Sequence, residues 1–221
     1  MREIPILFSA PMVRAILAGN KSMTRRVIKP QPNTNSSFIG WCTSSIKTSD
    51  IGRAGFGIDF GDDHYNQLIK CPYGEPGDRL WVKEAIKKIE WADGIDGVAY
   101  IADDEPAWDI TRPCRWVWKN KSLPSMFMPR GLARIWLEVV SVRVERVQEI
   151  TEEDAIHEGC AGTVCTHLNA DEHGCTDCMG SGYLEPPQLD FVYLWDSINA
   201  KRGYGWEQNP WVWVVEFRRA A

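Results

Sequence analysis

Long apolar runs are missing from this 221-residue chain. None approaches the roughly 18 residues that a helix needs to cross a bilayer, which excludes a helical membrane protein. The opening MREIPILFSAPM has neither a long apolar stretch nor a small-residue cleavage site, so it reads as mature sequence rather than a secretory signal. A basic surplus is missing too: 25 Lys and Arg stand against 30 Asp and Glu, a formal net charge of −5. Proteins that coat duplex backbone draw most of their non-specific affinity from neutralising phosphate, so this balance argues against broad coating. It leaves a nucleoside or a short single-stranded RNA segment, held at a local basic site. The glycines in RAGFGIDFGDD, residues 53–63, are followed by no Gly-Lys-Ser/Thr and so do not make a phosphate-binding loop. The seven cysteines are odd in number and unevenly clustered, unlike a secreted disulfide framework, and the expected location is the cytoplasm.

What is present is most informative at Ser9 to Arg26, SAPMVRAILAGNKSMTRR. Ile6 to Phe8 reads as a short strand, Ser9 as a helix N-cap and Pro11 as a first-turn residue whose missing N–H costs little. Met12, Val13, Ile16 and Leu17 recur at helical spacing, and Gly19 supplies the left-handed residue that ends such a helix. The chain then presents Lys21, Ser22, Thr24, Arg25 and Arg26 on one short segment. An amine, two hydroxyls and two guanidinium groups there can serve catalysis or phosphate binding, or simply form a solvated helix end. Further clusters stand at Lys83, Lys87 and Lys88 and at Lys119 and Lys121, each also readable as an ordinary solvated face.

The remaining pattern predicts an α+β chain, mainly β, organised as one domain over 1–221 with insertions at 33–70 and 160–187. Residues 33–70 are rich in Ser, Thr, Gly and Asn and read as irregular, with room for a short hairpin. Leu80 to Val82 reads as a strand that ends at the carboxylate of Glu84, and Val98 to Ala102 as another, followed by an acidic loop of Asp103, Asp104 and Glu105. RWVWKNK, residues 115–121, interleaves tryptophan with cations, as a base-stacking segment or a half-buried strand would. Ala133 to Ile150 is the longest β-run, and its alternation slips by one near Glu145, the signature of a bulge or bend. Thr151 is a good N-cap with Glu152, Glu153 and Asp154 behind it. Leu189 to Ala200 carries Phe191, Leu194, Trp195 and Ile198 at helical spacing, and Trp211 to Phe217 reads as a closing strand.

Between Cys160 and Cys178 fall six residues of metal-ligand type: Cys160, Cys165, His167, His173, Cys175 and Cys178. Cys175 and Cys178, separated by two residues and followed by Gly180 and Gly182, resemble half of the zinc repeats of J-domain chaperones. That spacing lets two thiolates turn back onto one tetrahedral zinc. The favoured set is Cys165, His167, Cys175 and Cys178, with Cys160 and His173 as competitors. Four protein ligands would make the zinc structural, a zinc-knuckle insertion.

The phrase helix–Gly–x–Lys–Ser–x–Thr–x–Arg resembles the opening signature of the ASCH domain family, whose fold is related to the PUA RNA-binding barrel. Gly77 to Glu84 resembles the family's second signature, MPRxxxRIxLxV at Met128 to Val139 is also similar, and Leu194 to Phe217 looks like the carboxyl end of phage and prophage proteins of this type. The resemblance covers most of the chain outside the two insertions. It implies a PUA-like antiparallel β-barrel with rim helices. Some compact members are amidohydrolases that release the acetyl group of N4-acetylcytidine with a lysine, a threonine and a glutamate, which by motif are Lys21, Thr24 and Glu84. In that chemistry a threonine hydroxyl attacks the amide with a neighbouring base, and a carboxylate orients or shuttles the proton. The alternative implied is a non-catalytic module that binds RNA or a modified nucleotide, with Ser22, Arg25 and Arg26 at its phosphate.

Overall fold

The computed structural model describes residues 1–33, 35–57, 66–91, 94–109, 112–164 and 183–220. In chain order the main elements are β1 (Glu3–Leu7), α1 (Ala10–Leu17), β2 (Met23–Val27), β3 (Ser37–Trp41), β4 (Ala54–Gly57), β5 (Gln67–Ile69), β6 (Arg79–Lys83), β7 (Ile86–Glu90) and β8 (Asp96–Tyr100). They continue with β9 (Trp136–Arg146), α2 (Glu152–His157), α3 (Pro187–Asn199) and β10 (Trp211–Arg219). The chain is mixed α+β and mainly β. Among the described residues no sheet closes on itself, and no helix is long and apolar enough to cross a membrane.

The chain divides into two compact units. The first comprises residues 1–22, 73–140 and 217–221, the second residues 23–72 and 141–216, so β9 and β10 each contribute to both.

In the first unit β1 lies parallel to β6, from Glu3 opposite Arg79 to Leu7 opposite Lys83. β9 runs antiparallel to β6, with Trp136 opposite Trp81 and Glu138 opposite Arg79. The Ala220 N–H donates to the Trp136 carbonyl at 2.8 Å. Strand alternation sorts β6 into two faces: Leu80 and Val82 are buried, while Arg79, Trp81 and Lys83 stand half-exposed on the other side. β7 and β8 form an antiparallel pair, and Ile86, Val98, Tyr100, Ala107, Trp116, Leu123 and Met128 make one apolar cluster around it. Residues 115–121 form no continuous strand. Trp116 packs edge-on to Trp118, 4.9 Å between centroids, and donates its ring N–H to the Trp118 carbonyl. α1 forms as its periodicity requires and buries Val13 and Ile16. Ser9 is its N-cap by backbone geometry only, since its side chain makes no capping bond. Gly19 at φ 79° ends the helix, and the backbone N–H groups of Asn20 and Lys21 return to the Ala15 carbonyl.

In the second unit β2 runs antiparallel to β10, with Thr24 opposite Val215 and Arg26 opposite Trp213. α2 and α3 pack over an apolar cluster that includes Met23, Val147, Ile150, Phe191, Trp195, Val212 and Val214. Thr151 caps α2 by accepting from the Asp154 N–H. Two expectations are corrected here. Residues 33–70 are not irregular throughout, because β3, β4 and β5 form a three-stranded sheet. Scattered aromatics supply its order: Trp41 stacks on Trp213 and Phe56 meets Trp211 edge-on. The slip in the long β-run is the end of β9 rather than a bulge within it. A single turn of 3-10 helix, Val147–Glu149, follows, and the buried Val147 donates its N–H to the Pro210 carbonyl. In α3, Ile198 is partly exposed and Asn199 is the buried residue of the last turn, its amide bonded to the Trp195 carbonyl.

Candidate functional site

Glu84 directly follows β6 and is 1% exposed. Its carboxylate is gripped at both oxygens by Arg134, with Nε at 2.9 Å from one and Nη2 at 2.8 Å from the other. The same guanidinium holds Asp103 through Nη1 at 2.8 Å and Nη2 at 3.0 Å. It lies over the Tyr100 ring at 3.9 Å. Burial opposes the charge on Arg134, but the hydrogen bonds to Glu84 and Asp103 outweigh it and raise the guanidinium above its ordinary value. Burial likewise opposes ionisation of Asp103, yet the bonds from Arg134 and from the Glu105 N–H hold its carboxyl below the ordinary aspartate range. Burial pushes the Tyr100 phenol up to about 12. Its hydroxyl donates to the Leu132 carbonyl.

Lys21 also belongs to this unit and is 3% exposed, an unusual burial for lysine. Its Nζ stands 5.9 Å from the Phe8 ring centroid. Phe8 donates its N–H to the carbonyl of Lys83, the residue before Glu84. One aromatic residue therefore touches the amine and the strand end that carries the carboxylate. Arg14 of α1 adds a tie by donating to the Ala102 carbonyl, next to Asp103. Ser22 is half-buried and accepts the Phe217 N–H at its backbone carbonyl.

The other residues of the opening signature enter β2, and strand alternation separates them. Thr24 and Arg26 share one face and Arg25 takes the other. Thr24 is 2% exposed. The Arg25 guanidinium is wholly buried and committed to internal acids, at 2.5 Å from Asp154, 3.0 Å from Glu145 and 3.6 Å from Glu158. Arg143 reinforces Asp154 at 3.0 Å. Burial opposes ionisation of Asp154, and the hydrogen bonds and charges of the two arginines outweigh it, so its carboxyl is held below the ordinary range.

Two of the surface lysines are paired with acids: Lys87 with Asp104 and Lys88 with Asp96, both at 2.6 Å. In the acidic loop Asp103 is bound by Arg134, while Asp104 pairs with Lys87 at the surface. The proposed metal ligands Cys165, His167, Cys175 and Cys178, and the competitor His173, lie outside the described residues. Cys160 is described and sits in the apolar cluster of the second unit. Among the described residues no group of three or more His, Cys, Asp and Glu could hold a metal ion.

Arg134 is the residue that reading the motif missed. It falls inside the Met128–Val139 phrase, where a cation one residue before a buried isoleucine was the available signal. Chemically, Glu84 can orient and accept: its oxygens are held by Arg134, and each carboxylate oxygen retains a second lone-pair direction. No family model, curated protein or solved structure matches the chain.

Proposed function

We propose that the chain is a PUA-like protein of the ASCH type that removes the acyl group from an N4-acylated cytidine nucleoside. The observation that carries this reading is the burial of an amine, Lys21, and a carboxylate, Glu84, in one unit, with Phe8 touching both neighbourhoods. Burying ionisable groups is costly, and such groups concentrate where chemistry is done. In the proposed reaction water is added across the amide, the carbonyl-to-N4 bond breaks, and carboxylate and cytidine leave. Lys21 handles the proton of the departing nitrogen, and Glu84, fixed by Arg134, orients the exchange. Thr24 is the nucleophile that the family resemblance implies: its hydroxyl takes the acyl group as an ester while cytidine leaves, and water then cleaves that ester to the carboxylate. Arg25 drops out of ligand binding in this reading, because its guanidinium serves internal carboxylates. A structural zinc held by Cys165, His167, Cys175 and Cys178 belongs to the same proposal. It is supported by the two-residue spacing of Cys175 and Cys178 and would fasten the 160–187 segment.

One observation favours a second reading, a non-catalytic module that binds RNA or a modified nucleotide. Both Glu84 oxygens already accept from Arg134, an arrangement equally suited to a fixed structural pair. Hydrolysis of N4-acetylcytidine by the wild type and by Lys21→Ala, followed by chromatography, separates the two. The hydrolase reading expects wild-type turnover and a loss of at least about a hundredfold in the variant, with an unchanged melting profile. Absence of turnover in both proteins overturns it and leaves the binding reading.

A further inference from the structure

The first unit carries a polar cavity of about 370 Å³ lined by Glu3, Arg79, Arg130, Arg134, Trp136 and Arg219. That volume falls in the range of small-molecule sites. Neither Lys21 nor Glu84 lines it. Pairing in β1, β6 and β9 sets Glu3 beside Arg79 and Trp136 beside Trp81 on the half-exposed face of β6, away from Leu80 and Val82.

The four guanidinium groups are not equivalent. Arg134 is committed to Glu84 and Asp103. Arg130 is paired with Glu3 and lies over the Trp136 ring at 5.4 Å. Both members of that pair reach solvent, so a stronger acceptor can exchange with Glu3 at little cost. Among the described residues Arg79 and Arg219 have no carboxylate partner, although Glu138, opposite Arg79, pairs with Arg218. Two unopposed planar forks, a third cation on an exchangeable pair and an indole face thus line one cavity. Guanidinium forks match phosphate oxygens two at a time, and an indole offers a planar surface to a base.

We propose that this cavity binds the phosphate of a nucleotide, with Arg79 and Arg219 as its first contacts, Arg130 joining by exchange from Glu3, and Trp136 against the attached base. The phosphate can belong to a free nucleotide or to a single-stranded nucleic acid. The cavity adjoins the proposed hydrolytic site through Arg134, which lines it and holds Glu84, but its phosphate contacts, Arg79, Arg219 and Arg130, lie outside that site, and the proposal stands whether or not the chain hydrolyses an amide.

The test is calorimetric titration of the full chain with cytidine, cytidine 5′-monophosphate and a six-residue oligocytidylate, over a series of salt concentrations. The monophosphate or the oligonucleotide should bind at least tenfold more tightly than cytidine. Arg79→Ala with Arg219→Ala should weaken that binding at least tenfold, while Arg79→Lys with Arg219→Lys, which keeps charge but loses the forks, should recover part of it. An oligonucleotide that binds tenfold tighter than the monophosphate, with a log–log salt slope steeper than the roughly 0.7 of one phosphate on a single strand, assigns the phosphate to nucleic acid. Equal affinity assigns it to a free nucleotide. The proposal is overturned if the wild type binds neither phosphate-bearing probe better than cytidine. It is overturned equally if the alanine pair, folded by its melting profile, binds as the wild type does.

Discussion

Replacing Arg134 by alanine should destabilise the first unit sharply. The substitution leaves Glu84, 1% exposed, without the two charge-assisted bonds that Arg134 supplies, and it strips Asp103 of its partner. Breaking a buried ion pair from one side costs about 3–5 kcal/mol, because the remaining charge stays desolvated. Loss of the guanidinium from the Tyr100 face adds about 1 kcal/mol or less. For a chain of this length each kcal/mol lowers Tm by about 2–4 °C, so a fall of roughly 10 °C is expected. The assay is urea unfolding followed by tryptophan fluorescence, to which the 11 tryptophans contribute. With two compact units the curve can resolve two transitions, and the shift belongs to the first unit. The decisive arm is a double-mutant cycle with Glu84→Gln and Arg134→Met. Removing both charges together should cost less than the sum of the single losses, by about 2 kcal/mol or more. A shift below about 1 kcal/mol for Arg134→Ala would refute the reasoning, for then Glu84 draws its compensation from elsewhere.

Two further expectations concern the second unit and the cysteine-rich segment. Because the folded-state pKa of Asp154 is lowered, the native state binds fewer protons than the unfolded chain between the two values. The Asp154 contribution is therefore fully present above the ordinary aspartate value of about 3.9 and is lost as pH falls through the lowered one. Asp154→Asn should cost about 2 kcal/mol at pH 7 and flatten the acid limb of the stability profile; parallel acid limbs in the two proteins would sink the assignment. Purified chain should carry one zinc by elemental analysis, and Cys175→Ser should abolish it; unchanged zinc in that variant would remove Cys175 from the ligand set.

The elements that could be read from sequence are those where one local rule dominates. α1 is framed by Pro11 and Gly19, α2 by Thr151 and its acidic first turn, and β10 by its run of β-branched and aromatic residues. The β3–β4–β5 sheet escaped because its composition is that of a loop. Its stability comes from the contacts of Trp41 and Phe56 with Trp213 and Trp211, more than 150 positions away in the chain. The same limit applies to polar residues. Lys21, Arg25 and Glu84 stood out by motif, but sequence spacing does not say which charge meets which. Arg25 proved to be neutralised by Glu145 and Asp154, and Glu84 by Arg134. Alternation along β2 is the rule that separates Arg25 from Arg26, and it applies only once the segment is a strand rather than a helix end.

The sharing of β10 by both units bears on synthesis. A nascent chain leaves the ribosome from its amino end, so β1, α1 and β2 are exposed long before their last partner strand exists. The first unit waits for residues 217–221 and the second for residues 141–216, so neither is complete until β10 has emerged. Folding of both units is then deferred until β10 has been synthesised, and no contiguous piece of the coding sequence reproduces the first unit. A premature stop before Trp211 should leave β2 and β9 without the strand that each pairs with, exposing unpaired edges, a substrate for chaperones and proteases rather than a shortened working protein.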